Sequence, residues 1–137
     1  MAYDAGLASG QTYRAQVLAT GYVTLSTQNM ARASRFYELI AREMGVGRSV
    51  ESEDFVGWGL PGAPGFGVAL PDAVPAPQRG MVPLQVEDPE QVQRLYQIAL
   101  SNGGTGEGAP CDRGGFYAAY FRDPDGNRLN AFCVSQH

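Results

Sequence analysis

The chain has no lysine and only one histidine, His137. All 10 basic residues are arginines, so no ε-amino group is available for a Schiff base or for a phosphate-binding P-loop. A single histidine next to the chain end also makes a poor basis for a Ser-His-Asp or Cys-His arrangement. The sequence therefore argues against lysine-dependent chemistry and against most hydrolytic mechanisms.

Cysteine is scarce, and long apolar runs are absent. The two cysteines, Cys111 and Cys133, have no CxxC spacing, which favours two free thiols in a reducing compartment, although one disulfide between them also fits. No run reaches the roughly 18 to 20 apolar residues of a membrane span, and the N-terminus does not read as a secretion signal. We therefore expect a cytoplasmic protein with no membrane partner.

Acidic residues exceed basic ones by 14 to 10, which gives a net charge of −4. A negative chain repels phosphate backbones, so we expect no nucleic acid partner. The 137 residues are 44% hydrophobic, enough for one compact domain with a buried core.

An internal repeat organises the chain. The stretch Gly21 to Gly45 aligns without gaps on Gly80 to Gly104. Each copy starts with the alternation of a half-buried strand and continues with apolar residues at helical spacing. Asn29 and Asp88 are the predicted helix N-caps, and glycines follow both predicted helices. The identical pairs are Gly21 and Gly80, Val23 and Val82, Leu25 and Leu84, Arg35 and Arg94, Tyr37 and Tyr96, and Gly45 and Gly104.

The repeat continues into two predicted hairpins, "FVGWGLPGAPGFGVAL" and "YAAYFRDPDGNRLNAF". Asp123 and Pro124 suit the start of a type I turn, and Gly126 suits its close. With a further strand before each hairpin, near 48–53 and 105–108, each half is predicted to be βαβββ. We expect one domain, 19–137, made of halves 19–71 and 80–137 and joined by the proline-rich linker 71–79. Residues 1–18 are predicted to form an arm, or else an extra edge strand.

A duplicated βαβββ unit that ends in "FRDPDGNRLNAF" resembles the vicinal oxygen chelate superfamily, which includes glyoxalase I, extradiol dioxygenases, fosfomycin-resistance proteins and bleomycin-binding proteins. The resemblance covers about residues 20–134 and rests on the repeat, on "RASRFYE" and on "DPDGN". It implies an α+β fold in which two four-stranded sheets form a cup, with helices outside and a ligand pocket inside. It also implies a homodimer, and leaves open whether the halves pair within one chain or between two.

Strand alternation divides the predicted strands into a helix-facing side and a cup side. The residues expected to face the helices are Val23, Leu25, Val82, Leu84, Leu129 and Ala131. The residues expected to face the cup are Tyr22, Thr24, Gly57, Gly59, Met81, Pro83, Gln85, Ala118, Tyr120, Arg128, Asn130 and Phe132.

The resemblance implies that metal-using relatives would place ligands at Tyr22, Ala69, Met81 and Asn130. None of these side chains is a usual ligand of zinc, iron or manganese, which prefer imidazole and carboxylate. We therefore expect no bound metal and no cofactor. Asn130 therefore occupies the strand position of a metal ligand, but its amide is not a usual ligand of these ions.

The leading functional hypothesis is metal-independent binding of a small organic molecule in the cup. Aromatic and thioether side chains provide apolar contact area there, and a few polar groups provide directional hydrogen bonds. The predicted ligand-binding residues are Tyr22, Thr24, Met81, Gln85, Tyr120, Arg128, Asn130 and Phe132.

Two other functions fit the same pattern. The first is an enzyme, a lyase, isomerase or dioxygenase-type protein with a non-standard metal site or with Tyr22 or Glu51 as a base. The second is a structural dimer module whose cup is filled and has no pocket. Glu51 and Glu53 are spaced to share one strand face, where a solvated edge is favoured.

The two thiols receive different predictions. Cys111 lies in "EGAPCDRGG", which reads as a loop near Arg113 that overhangs the cup, and we favour an incidental loop thiol over a reactive one. Cys133 has the helix-facing phase and is predicted to be a small buried hydrophobe.

Overall fold

The computed structural model describes residues 22–60, 65–71 and 81–134. The predicted arm, 1–18, and all but the first residue of the predicted linker lie outside these ranges. The repeated order βαβββ is confirmed. The elements in chain order are β1 (Tyr22–Ser26), α1 (Met30–Met44), β2 (Gly47–Glu51), β3 (Phe55–Gly59), β4 (Gly65–Ala69), β5 (Val82–Gln85), α2 (Pro89–Ser101), β6 (Thr105–Asp112), β7 (Phe116–Arg122) and β8 (Arg128–Val134).

Each half forms one four-stranded mixed sheet with the same topology. The strand orders are β1-β4-β3-β2 and β5-β8-β7-β6. In each sheet the first strand of the half lies parallel to its last strand, and the other neighbours are antiparallel. The predicted α+β fold, a cup of two sheets with the helices outside, is therefore confirmed.

The helix boundaries follow from local chemistry. The Asn29 side chain accepts a hydrogen bond from the Arg32 amide, and Asp88 accepts one from the Gln91 amide, so both predicted N-caps are confirmed. Gly45 closes α1 in the left-handed region, at φ 79°. The second helix, α2, ends at Ser101 with Asn102 as its C-cap residue, one residue before the glycine pair that was predicted to stop it.

The predicted phase of the strands is confirmed by register and burial in the second sheet. Val82 pairs with Leu129 and Leu84 pairs with Ala131, and all four are buried in the core with residues of α2 such as Leu95. In the first sheet Leu25 pairs with Val68 in the same core. Val23 shares this face, but it lies on an edge strand and is 36% exposed.

The turn after β7, Asp123–Asn127, docks onto the first half of the chain. The Tyr37 hydroxyl of α1 donates a hydrogen bond of 2.6 Å to Asp123 Oδ2. Asn127 Nδ2 donates both to Asp123 Oδ2 and to the Ser26 carbonyl at the end of β1. The Gly126 amide donates to the Asp123 carbonyl, and Gly126 has a φ of 90°, so the predicted turn is confirmed.

A second group of contacts holds the same turn from the side of the β1–α1 connection. Asp125 accepts a hydrogen bond of 2.6 Å from the Thr27 hydroxyl and forms an ion pair of 2.9 Å with Arg32. The "DPDGN" stretch therefore joins the two halves, a role that its sequence pattern does not predict.

Two local predictions are wrong. Cys111 does not lie in a loop, because β6 extends to Asp112 and Cys111 pairs with Ala118 of β7. Glu51 and Glu53 do not share a strand face, because β2 ends at Glu51. Cys133 is buried in the core, as predicted; both cysteines are free thiols.

Candidate ligand site on the inner face

The candidate site lies on the inner face, defined here as the face of each sheet turned away from the helices. In the second sheet, Asn130 of β8 stands between Pro83 of β5 and Tyr120 of β7. Gly108 of β6 is the next partner of Tyr120. A second row runs parallel to this one and consists of Gln85, Phe132, Ala118 and Cys111.

Asn130 is a buried polar residue whose side chain has no hydrogen-bond partner among the described residues. Its residue surface is 9% exposed, and no hydrogen bond joins its side chain to any group in the described ranges. A buried amide left unsatisfied costs roughly 1 to 3 kcal/mol. Its donors and acceptor remain available on the inner face to a bound molecule or to water.

Arg113 lies over the ring of Tyr120. Its guanidinium carbon is 4.8 Å from the ring centroid, a distance typical of a cation–π contact. The guanidinium is held there by two backbone carbonyls, because Nε donates to Ala118 and Nη2 donates to Ala109. A Cβ on Gly108 would lie 3.1 Å from both Arg113 Nη2 and Tyr120 Cδ2, so glycine is the residue that leaves room for this stacking.

The sequence analysis did not identify Arg113 as a site residue. The only signal in the sequence was its place in a short glycine-containing turn between two strands, as in "DRGG". Its position over Tyr120 depends on the register shifts of β6, which no local pattern predicts.

Two further arginines stand on the inner face at the end of the second sheet. Arg122 pairs with Arg128 in register. Glu107 accepts a hydrogen bond of 2.6 Å from Arg122 Nε and lies 3.9 Å from Arg128 Nε. Arg128, a predicted ligand-binding residue, is thus an exposed residue beside a carboxylate at the start of β8.

Phe55 occupies the inner face of the first sheet at Gly67. A Cβ on Gly67 would lie 2.5 Å from Cζ of Phe55, so the aromatic ring rests directly on this glycine. Phe55 is fully buried, and Thr24, the partner of Gly67 on β1, is 9% exposed. In the second sheet, by contrast, Tyr120 and Phe132 remain half-buried. The more accessible part of the inner face therefore belongs to the second sheet.

The strand register corrects one of the four positions at which metal-using relatives would place a ligand. Thr24 is the repeat equivalent of Pro83, and Gly67 pairs with Thr24 as Asn130 pairs with Pro83. Gly67, rather than Ala69, is therefore the first-half equivalent of Asn130. Neither Gly67 nor Ala69 has a side chain that can bind a metal.

The donor set on the inner face does not fit a catalytic divalent ion. Asn130 offers an amide, Met81 a thioether and Gly67 no side chain, whereas such ions prefer imidazole and carboxylate. Across residues 22–60, 65–71 and 81–134, no group of three or more histidine, cysteine, aspartate or glutamate side chains is placed to hold a metal.

The other predicted site residues are less central. The backbone of Tyr22 pairs with Gly65 at the start of β1, and its side chain lies outside the description. Met81 precedes β5 and is 41% exposed. Gln85 is exposed opposite Phe132. The structure thus brings together Tyr120, Asn130 and Phe132, with Gln85 beside them.

Two sheets of this topology, each with a helix against its outer face, define a protein of paired βαβββ modules. Residues 19–131 match the family model of the Glyoxalase/Bleomycin resistance protein/Dioxygenase superfamily, and the chain belongs to this superfamily. No curated protein matches the chain.

Solved structures of the same superfamily have a similar fold. A glyoxalase/bleomycin resistance protein from Albidiferax ferrireducens T118 is 26% identical, with a TM-score of 0.75 over 85% of this chain and 99% of that chain. A lactoylglutathione lyase from Agrobacterium tumefaciens is 19% identical, with a TM-score of 0.60 over 82% and 91%. The fosfomycin resistance protein FosX from Mesorhizobium loti is 14% identical, with a TM-score of 0.59 over 85% and 91%. The last two similarities show the fold alone.

Neither helix among the described residues has the length and apolar character needed to cross a membrane.

Proposed function

We propose that this chain is a cytoplasmic, homodimeric member of the superfamily that binds a small organic molecule on its inner face without a resident divalent metal. The observation that carries the proposal is the Asn130 amide, which is 9% exposed and has no hydrogen-bond partner in the described ranges. A bound molecule with polar groups would satisfy this amide and remove its desolvation cost.

The surroundings of Asn130 suit a partly aromatic or apolar ligand. Tyr120 stands next to it on β7, and Phe132 lies two residues further along β8. Aromatic side chains provide contact area and directional ring interactions, and the Tyr120 hydroxyl adds one polar group. Tyr22, Thr24, Met81, Gln85 and Arg128 complete the proposed contact set.

The position of Glu51 weakens the enzyme hypothesis. Glu51 pairs with Val56, a core residue, so its strand position belongs to the helix-facing side. Its carboxylate accepts a hydrogen bond of 3.2 Å from Arg48. A general base on the inner face therefore cannot be Glu51, and metal-free proton abstraction loses one of its two candidates.

The unpaired amide also argues against a filled cup with no pocket. If the inner face of the second sheet were a dry core, Asn130 would be buried there without compensation. Natural cores rarely keep such a group.

The proposal is tested by nuclear magnetic resonance with a library of small aromatic and apolar fragments. Binding fragments are expected to shift the Asn130 side-chain amide signals and backbone signals of β7 and β8. Asn130→Leu should weaken these fragments, whereas Gln97→Leu, at an exposed position of α2, should not. Fragment shifts confined to the outer helix surface, or absent altogether, would contradict the proposal.

A further inference from the structure

We infer that the ligand carries a carboxylate and that Arg113 binds it. This inference rests on the proposed function and adds the chemical class of the ligand. It concerns the inner face of the second sheet, where Arg113, Tyr120 and Asn130 are neighbours.

The Arg113 guanidinium has unused hydrogen-bonding capacity. A guanidinium has five N–H donors, and two of them reach the Ala118 and Ala109 carbonyls. These two bonds and the stacking on Tyr120 fix the plane of the group before any ligand arrives. Preorganisation of this kind lowers the entropy lost on binding.

The charge of Arg113 is also uncompensated. No carboxylate of residues 22–60, 65–71 and 81–134 forms an ion pair with it, whereas five other arginines, Arg32, Arg48, Arg94, Arg122 and Arg128, have one. Within the same ranges Arg35 and Arg42 also lack an ion pair, but both are exposed to solvent. Arg113 is only partly exposed, so water screens its charge less than it would at an open surface. An anion from outside the chain would therefore gain a strong, charge-assisted interaction.

The wider electrostatics of this face favour an anion. The chain as a whole has a net charge of −4, yet among the described residues the inner face of the second sheet has three arginines, Arg113, Arg122 and Arg128, and Glu107 lies beside the last two. A local positive patch in an acidic protein attracts anionic ligands to this face and repels cations.

Asn130 supports the same ligand from the neighbouring strand. Its Cα is directly opposite that of Tyr120, and Cβ atoms of such pairs are about 5 Å apart. A ligand that extends along the inner face past the Tyr120 ring can bind the Arg113 guanidinium on the β6 side of that ring and the Asn130 amide on its β8 side. The two oxygens of a carboxylate fit the planar guanidinium in the bidentate geometry, and a phosphonate is the alternative anion that the experiment separates from it.

The experiment compares three kinds of probe on the full chain. The probes are benzoate and 2-naphthoate, their neutral primary amides, and phenylphosphonate, each titrated while the amide signals of β7, β8 and the Asn130 side chain are recorded. Benzoate and 2-naphthoate are expected to bind roughly 10-fold or more tightly than their amides. Arg113→Gln should remove this preference, and the exposed Arg35→Gln should leave it unchanged.

A second variant, Gly108→Ala, tests the same inference in case Arg113→Gln does not fold. Gly108→Ala keeps the charge but places a Cβ 3.1 Å from both Arg113 Nη2 and Tyr120 Cδ2, so the guanidinium and the ring must shift relative to each other. Carboxylate affinity should fall several-fold in Gly108→Ala, and the affinity for neutral amides should change less. Equal affinity for acids and amides on these signals would overturn the inference and leave the proposed function standing. Tighter binding of phenylphosphonate than of either carboxylate would replace the carboxylate by a phosphonate-type ligand. Binding of none of the probes to these signals would overturn the inference, and the proposed function would then be judged by the fragment library alone.

Discussion

The Tyr37 hydroxyl donates a hydrogen bond of 2.6 Å to the Asp123 carboxylate across 86 positions of the chain. Both residues are buried, and the bond joins α1 of the first half to the turn after β7 of the second. Asp123 also accepts hydrogen bonds from the amides of Asp125 and Asn127 and from the Asn127 side chain. This carboxylate therefore links the halves through Tyr37, and the hydrogen bonds within its own turn hold it in place.

The Tyr37–Asp123 bond predicts a loss of stability in Tyr37→Phe. Removing a buried hydrogen bond to a charged group costs roughly 1.5 to 3 kcal/mol in the free energy of unfolding. Urea denaturation measures this difference. Tyr117→Phe is the control, because among the described residues the Tyr117 hydroxyl bonds only the exposed side chain of Gln93; its effect should stay within about 0.5 kcal/mol.

The same variant should show a specific pH dependence. Burial raises the pKa of Asp123, and its hydrogen bonds, that of Tyr37 first, partly offset the rise. With a raised folded pKa, the protonated carboxyl contributes stability that is present below the ordinary aspartate pKa and lost as pH rises through the folded value. Tyr37→Phe removes one offsetting bond and raises this pKa further. The destabilisation by Tyr37→Phe should therefore be larger at pH 7 than at pH 4; an equal loss at both values would show that Asp123 does not titrate in this way.

The phase of β8 predicts opposite outcomes at adjacent positions. Asn130→Leu should leave stability nearly unchanged or raise it, because the lost amide has no hydrogen-bond partner in the part of the chain that the structure describes. Leu129→Asn places an amide in the core, where Leu129 is 1% exposed, and should lower the free energy of unfolding by roughly 2 kcal/mol or more. Thermal melting should show a fall of at least about 5 °C for Leu129→Asn. Equal damage in the two variants would mean that Asn130 is a satisfied core residue.

The contact between Phe55 and Gly67 predicts that the first sheet tolerates no added methyl group there. In Gly67→Ala the Cβ would meet the Phe55 ring at 2.5 Å and the Val56 carbonyl oxygen at 2.9 Å, so overpacking should cost roughly 1 to 3 kcal/mol. Gly47→Ala is the matched control, since nothing lies within 4 Å of its Cβ. Similar unfolding midpoints for the two variants would place the Phe55 ring elsewhere.

The side chains available to bind a metal on the inner face predict that protein purified without chelator carries no stoichiometric zinc, iron, manganese or nickel. Elemental analysis tests this directly. About one metal per chain, together with a loss of thermal stability after its removal, would contradict the metal-independent proposal.

Exposed sheet edges predict a homodimer at micromolar concentration. β2 and β6 are edge strands of their sheets, and Val134, at the end of β8, is 53% exposed. Edges and apolar strand ends of this kind are usually covered by a partner. Light scattering over the micromolar range measures the mass, and a monomer throughout that range would count against the prediction.

The repeating elements could be predicted from the sequence because their causes are local. Asn29 and Asp88 cap helices through amides three residues away, and Gly126 closes its turn through Asp123. The alternation in β8 assigned Leu129 to the core and Asn130 to the inner face from the period of the strand alone.

The site itself depended on contacts between residues far apart in the chain. Phe55 lies on Gly67 at the inner face of the first sheet because two strands align in one register out of several, and Asp123 bonds Tyr37, which is 86 positions away in the chain. Register shifts in β6 bring Arg113 over Tyr120, and a bulge is selected by the packing of neighbouring strands rather than by a sequence period. The sequence alone therefore determined which elements form and which way their side chains alternate, while the tertiary structure decided which of those side chains meet, because strand pairing is set by the summed energy of long-range contacts.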